Sequence, residues 1–162
     1  MDNILPKRKT TRLKNYNYST PGAYFVTICT KDRKNLLSEI IVGEGLCALP
    51  KNELTEIGKN IEQSIKHINA NCKGVKIEKY VIMPNHIHLI VVLGDSGGHG
   101  NPPLQDVIYS LKSFTTHEYG NNLWQRSFHD HVIRGDGDYN KIWEYIDTNI
   151  LKWEQDCFYN NL

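Results

Sequence analysis

A chain of 162 residues with 40% hydrophobic and 23% charged content can bury a real core without disulfides, and is read as one domain. Its longest apolar run, Ile87 to Leu93 with His88 inside it, is far too short to span a bilayer. The N-terminus lacks an apolar signal core, and the four cysteines (Cys29, Cys47, Cys72, Cys157) are scattered with no Cys-x-x-Cys pair. Together these features exclude a membrane span, a thiolate zinc site and a disulfide framework, and predict free thiols in the cytoplasm.

The net charge of +1 does not by itself suggest nucleic acid, but its distribution does more. Residues 1–14 gather Lys7, Arg8, Lys9, Arg12 and Lys14 against the single acid Asp2. Such an arm could follow a phosphate backbone, or it is a solvated terminus. Tyr18-Ser19-Thr20-Pro21-Gly22 is turn chemistry, and the β-branched and aromatic run Ala23 to Thr30 predicts a first strand. Lys31 to Pro50 reads as irregular, with a short strand at Ile40-Ile41-Val42 and a turn at Gly43 and Gly45. Leu54, Ile57, Ile61, Ile65 and Ile68 then recur at helical spacing, so an amphipathic helix is laid on a sheet.

Val75 to Met83 and His86 to Leu93 read as two strands joined at Pro84-Asn85, since proline cannot donate to a central ladder. Residues 94–103 form a flexible loop. A second helix runs from Leu104 to Glu118, with Leu104, Val107, Ile108, Leu111 and Phe114 as its stripe and Tyr109 and Lys112 outside it. Leu123-Trp124-Gln125-Arg126 leads into a fourth strand, Ser127 to Arg134. The segment Gly135 to Asp138 breaks that strand, and is either a hinge or a tight turn. It offers an Asp N-cap to a last helix over Tyr139 to Asn149. The order β-α-β-β-α-β predicts an α+β fold: a ferredoxin-like (split βαβ) antiparallel sheet, two helices on one face, and an additional C-terminal helix.

Side chains alternate faces along a strand, so His86 and His88 point the same way with Cα atoms about 7 Å apart, close enough to converge on one metal ion. Buried among Ile87, Leu89, Ile90, Val91 and Val92, two imidazoles are costly unless each has a partner. They are either core histidines satisfied by backbone or carboxylate, or metal ligands. On the last helix Ile142, Tyr145, Ile146 and Asn149 share a face, so Tyr145 and Asn149 dock together if the isoleucines do. Tyr145 is then a core-edge tyrosine or a nucleophile. Tyr109 and Tyr119 are rival nucleophiles, and His129 with His131 forms a second His-x-His on a strand. Trp124, Phe128 and Tyr109 could stack unpaired bases, or Trp124 belongs to the core.

These motifs, in this order, resemble a known family. Tyr16 to Thr30 looks like its N-terminal signature, and Met83-Pro84-Asn85-His86-Ile87-His88 like its His-hydrophobic-His (HUH) motif. Leu123-Trp124-Gln125-Arg126, His131 to Arg134, and Glu144-Tyr145-Ile146 with Asn149 match its C-terminal half. The chain is similar to the single-tyrosine HUH transposases, most closely the REP-associated tyrosine transposases, from roughly Leu13 to Trp153. The resemblance implies metal-dependent cleavage and rejoining of single-stranded, hairpin-forming DNA through a 5′-phosphotyrosine link. It implies Tyr145 as nucleophile, and His86, His88 and Asn149 as ligands of a divalent ion, Mg²⁺ or Mn²⁺. Asn149 stands where insertion-sequence relatives usually carry glutamine. DNA contacts are expected from Lys7, Arg8, Lys9, Arg12, Lys14, Tyr109, Lys112, Trp124, Arg126 and Arg134.

Two other function classes share parts of this pattern. One is a domesticated single-stranded or hairpin DNA-binding protein with little catalysis. The other is a small metal-dependent hydrolase, which needs a general-base carboxylate that the sequence does not offer in a recognisable motif. Monomer and homodimer with exchanged helices are both open.

Overall fold

The computed structural model describes residues 12–43, 48–95, 101–120 and 122–159, so Lys7, Arg8, Lys9 and Gly45 lie outside it, as does much of the loop expected over 94–103. Its elements are β1 (Gly22–Cys29), β2 (Ser38–Ile41), β3 (Lys51–Leu54), α1 (Glu56–Asn71), β4 (Val75–Ile82), β5 (His86–Leu93), α2 (Leu104–Tyr119), β6 (His129–Val132) and α3 (Asp136–Thr148), with 3₁₀ turns at Lys31–Arg33 and Ile150–Gln155. Four strands make a sheet in the order β4-β5-β1-β6, and β2 pairs with β3 in a separate ribbon. Every neighbouring pair is antiparallel. This is the expected split βαβ arrangement. Among the described residues no helix is long and apolar enough to cross a membrane.

The period of two along β5 decides which layer each side chain joins. Ile87, Leu89, Val91 and Leu93 pack in one cluster with Ile61, Ile65 and Ile68 of α1 and Leu104, Val107, Ile108 and Leu111 of α2. The opposite parity, His86, His88, Ile90 and Val92, looks the other way. There Ile90 and Val92 join Phe25, Ile142, Trp143 and Ile146, the last three from α3. The tyrosine helix and the histidines therefore share a face of the sheet, and the two long helices occupy the other.

A register shift between Ile77 and Lys79 helps to seat α3. Before it, Val75 and Ile77 face the two-helix layer; after it, Tyr80 and Ile82 do. Lys79 and Val81 are thereby turned toward α3. Glu78 accepts the Tyr139 hydroxyl at 2.7 Å, and Lys79 pairs with Asp147 and lies 4.5 Å from the Trp143 ring centroid. At the start of α1, Thr55 Oγ1 accepts the Gly58 amide at 3.2 Å. Gly58 is required there because a Cβ would lie 2.1 Å from the Leu37 carbonyl oxygen.

Several boundaries differ from the sequence reading. β3 begins just past the stretch read as irregular and takes Leu54 out of the helix; its exposed-intermediate alternation gives no apolar signal, and it exists by pairing with β2. β6 is shorter than Ser127 to Arg134, limited by the four residues that find register partners on β1. α3 starts at Asp136, with Gly135 at φ +82° as N-cap and no side-chain cap. Asp138 instead accepts the Arg134 amide at 3.0 Å and His131 Nε2–H at 2.8 Å, tying β6 to the helix start. Phe114 is 48% exposed and meets only the edge of the stripe, where Thr115 is buried in its stead and accepts Trp124 Nε1–H at 2.8 Å.

This division of α2 is testable by urea unfolding. Leu111→Ala is expected to cost about 2–5 kcal/mol, the range for truncating a fully buried aliphatic side chain. Phe114→Ala is expected to cost less than about 1 kcal/mol, as for an exposed position.

Candidate active site on the histidine strand

His86 and His88 are buried, and their Nε2 atoms face each other at 3.0 Å. The outer nitrogens are held from two sides. His86 Nδ1 meets Asn85 Oδ1 at 2.9 Å, and the amide cannot be turned over because its Nδ2 already donates to the carbonyls of Arg33 (3.3 Å) and Phe158 (2.8 Å). Asn85 Oδ1 only accepts, so His86 Nδ1 carries the proton and Nε2 is left with its lone pair. His88 Nδ1 meets Thr27 Oγ1 at 2.8 Å across the β1–β5 pair, where Thr27 and His88 are register partners. A hydroxyl can donate or accept, so Thr27 supports either tautomer of His88.

Tyr145 is 39% exposed, and its hydroxyl lies 3.3 Å from His88 Nε2 and 3.4 Å from Asp156 Oδ2. Its ring meets Phe25 and His88 edge-on, with centroids at 6.0 and 5.1 Å. Asn149, buried one turn on, donates Nδ2–H to Asp156 Oδ2 at 3.0 Å, while its Oδ1 is buried without a partner. The segment after α3 then folds over the pair: the Phe158 ring centroid is 4.6 Å from that of His86 and the Trp153 centroid is 6.0 Å away.

The structure thus brings His86, His88, Tyr145 and Asn149 together, and adds four residues that the sequence reading did not name for this site: Thr27, Asn85, Asp156 and Phe158. Asp156 places beside the histidines a carboxylate that the sequence does not mark with a recognisable motif. One of its oxygens lies within 4.8 Å of both imidazole nitrogens, making a His-His-Asp cluster able to hold a cation. The 3.0 Å gap between the nitrogens suits adjacent ligands of one ion, which at bonds of about 2.1 Å and a right angle stand about 3.0 Å apart. The donor set, two neutral imidazoles with a carboxylate and an orphaned amide oxygen beside them, fits a divalent metal.

Other candidates lie elsewhere. Tyr109, 73% exposed, and Tyr119, whose hydroxyl accepts Asn60 Nδ2–H at 2.7 Å, sit on α2, across the sheet from the histidines. Trp124 is buried in the two-helix core, so its ring is no stacking platform. Lys112 donates to the carbonyls of Gln125 and Ser127 at 2.8 and 3.1 Å. Burial pushes its ammonium down to about 8, so here it fastens the loop after α2. Arg12 stacks on Phe128, 4.0 Å from the ring centroid, and approaches Asp130 at 3.7 Å. Lys14, Arg126, His129, His131 and Arg134 are exposed.

Burial lowers both histidines to about 3, His86 with help from the Arg33 charge. For His88 the His86 charge adds to burial and Asp156 partly offsets it. Both are neutral at pH 7. Tyr145 is raised to about 12, first by burial and then by the Asp156 charge, with the neighbouring Asn149 amide acting in the opposite direction. For each histidine the folded value lies below the unfolded value of about 6.5, so the unfolded chain binds more protons in between. The metal-free protein is therefore expected to keep its stability above about pH 6.5 and lose it progressively as pH falls toward 3. Thermal unfolding across that range checks this, and His88→Gln should flatten the dependence.

No family model matches the chain. An uncharacterized protein of Haemophilus influenzae is 32% identical over 174 residues, covering 94% of this chain and 93% of that one. A REP-associated tyrosine transposase of Escherichia coli K12 is 32% identical over 136 residues, covering 83% of this chain and 70% of the relative. Among solved structures, a REP-associated tyrosine transposase bound to a REP hairpin shares the fold, with a TM-score of 0.66 and 23% identity over 89% of this chain and 74% of that chain. By its sequence relationship to the Escherichia coli protein, and with the same fold, the chain belongs to the REP-associated tyrosine transposase family.

Proposed function

We propose that this chain cleaves and rejoins single-stranded, hairpin-forming DNA, with Tyr145 as nucleophile and a divalent cation, Mg²⁺ or Mn²⁺, at His86 and His88. The observation that carries this reading is the Tyr145 hydroxyl, which sits 3.3 Å from His88 Nε2 on the one sheet face where both histidines aim their free nitrogens. Family membership and the hairpin bound to the structural relative support it.

Tyr145 and the histidines meet within one chain, which supports cleavage by a single protomer. Phe25 and His88 hold the phenol ring edge-on, which limits the directions in which its oxygen can approach phosphorus. Asn85 keeps the proton of His86 on Nδ1, and Thr27 can accept one from His88 Nδ1, so both Nε2 lone pairs are available for ligation. At a value near 12, the phenol retains its proton at pH 7 and is a weak nucleophile unaided. A bound divalent ion would polarise the scissile phosphate and offset charge developing on its oxygens. Attack by the Tyr145 oxygen forms the O–P bond of a 5′-phosphotyrosine as the P–O3′ bond breaks; the phenol gives up its proton to solvent and the leaving O3′ takes one up to become the 3′-hydroxyl. Reversal by a 3′-hydroxyl restores the phosphodiester and frees the tyrosine, without ATP. Lys14, Arg126 and Arg134, with Lys7, Arg8 and Lys9, supply cationic groups for backbone phosphates, whereas Arg12 is engaged by Phe128 and Asp130.

One observation favours a second reading, DNA binding with little catalysis: the Phe158 ring lies over His86, 4.6 Å between centroids. The test is incubation with end-labelled single-stranded hairpin DNA and Mn²⁺. A denaturant-resistant protein–DNA adduct is expected from wild type and lost in Tyr145→Phe, and reduced at least about 100-fold in His88→Ala. Tight binding without adduct on any hairpin would favour the second reading. DNA cleavage with no adduct would point instead to hydrolysis by water, for which Asp156 now supplies a carboxylate.

A further inference from the structure

We infer that Asp156 is the anionic ligand of the cation held at His86 and His88, and that Asn149 positions this carboxylate; the inference rests on the reading of the site as a metal centre. Among the described residues, His86, His88 and Asp156 form the cluster of ligating side chains whose donor atoms all lie within 4.8 Å of one another. Both histidines are fully buried, and an imidazole ligates only in its neutral form, so on their own they would leave the charge of a divalent ion uncompensated in a low-dielectric site. A carboxylate supplies that charge, whereas the amide of Asn149 does not.

The hydrogen bonds divide the roles in the same way. Asp156 Oδ1 accepts the Phe158 amide at 2.7 Å, which fixes the carboxylate's rotation. Its Oδ2 is the oxygen on the Tyr145 side, 3.4 Å from the phenol hydroxyl. Asn149 presents Nδ2–H to that oxygen at 3.0 Å; turning the amide over would set two acceptors against each other. A neutral donor bonded to a ligating carboxylate is the usual arrangement by which a ligand is oriented from behind. Asp156 itself is delivered by the turn Ile150–Gln155, whose Trp153 is buried, and by Phe158, whose carbonyl Asn85 holds. The third ligand thus comes from beyond the tyrosine helix.

The test is Mn²⁺ affinity by calorimetry on the full chain, with the Co²⁺ d–d absorption spectrum as a second readout and metal-free thermal unfolding to verify folding. Asp156→Asn keeps the side chain's size and removes its charge. It is expected to weaken Mn²⁺ by about 100-fold and to shift the Co²⁺ bands, while Asn149→Ala weakens Mn²⁺ by about 10-fold with the Co²⁺ bands in place. Wild-type Mn²⁺ affinity and Co²⁺ spectrum in Asp156→Asn, with binding lost in His86→Ala, would overturn the assignment and leave the metal centre standing. A Co²⁺ shift in Asn149→Ala but not in Asp156→Asn would make the amide the ligand and overturn it likewise. Absence of Mn²⁺ binding by the wild type would overturn the metal centre itself.

Discussion

Two neutral imidazoles facing each other at 3.0 Å inside a buried strand are the constraint around which this structure is arranged. A buried ring nitrogen without a partner costs on the order of 1–3 kcal/mol, and each histidine has two to satisfy. The surroundings answer each one. Asn85 occupies the outer nitrogen of His86 and Thr27 that of His88. The inner nitrogens meet each other and the Tyr145 hydroxyl. Asn85 does more than this, since the amide that fixes the tautomer also fastens the Arg33 and Phe158 carbonyls. The Pro84-Asn85 turn therefore connects the strand hairpin, the loop after β1 and the C-terminal segment at one residue.

The sheet explains why Tyr145 of α3 can reach this pair. Alternation along β5 gives one set of side chains to α1 and α2 and the other to α3, so the main core and the two histidines lie on separate faces. Most of the apolar burial lies on the two-helix side. On the other side the register shift in β4 turns Lys79 and Val81 toward α3, and contacts of Glu78 and Lys79 seat that helix over the histidines. A smaller apolar cluster with polar clamps holds the tyrosine helix, the kind of attachment that loosens before a large core does. Tyr145 is then both anchored and within reach of solvent.

The segment after α3 completes the site chemically. Trp153 and Phe158 cover His86, and burial keeps both histidines neutral. The same segment carries Asp156, whose oxygens collect the Asn149 amide, the Tyr145 hydroxyl and the Phe158 backbone amide. Charge, orientation and burial at the histidines are in this way linked to one short stretch of chain.

The sequence by itself determined the strand-helix order, the common direction of His86 and His88, and the shared face of Tyr145 and Asn149. Those follow from periods of 2 and 3.6 acting on local spacing, which any folded form of this chain must respect. Apolar periodicity likewise marked Ile61, Ile65 and Ile68 as core, and all three are buried. It failed at Phe114, which stands at the stripe's margin, and at β3, whose polar residues are a strand only because β2 pairs with them. Thr27 and Asp156 were beyond its reach. Thr27 meets His88 through cross-strand register, and Asp156 arrives through a 3₁₀ turn that no period marks. Contacts between residues far apart in sequence depend on how elements are placed in space, and only the tertiary structure decided that.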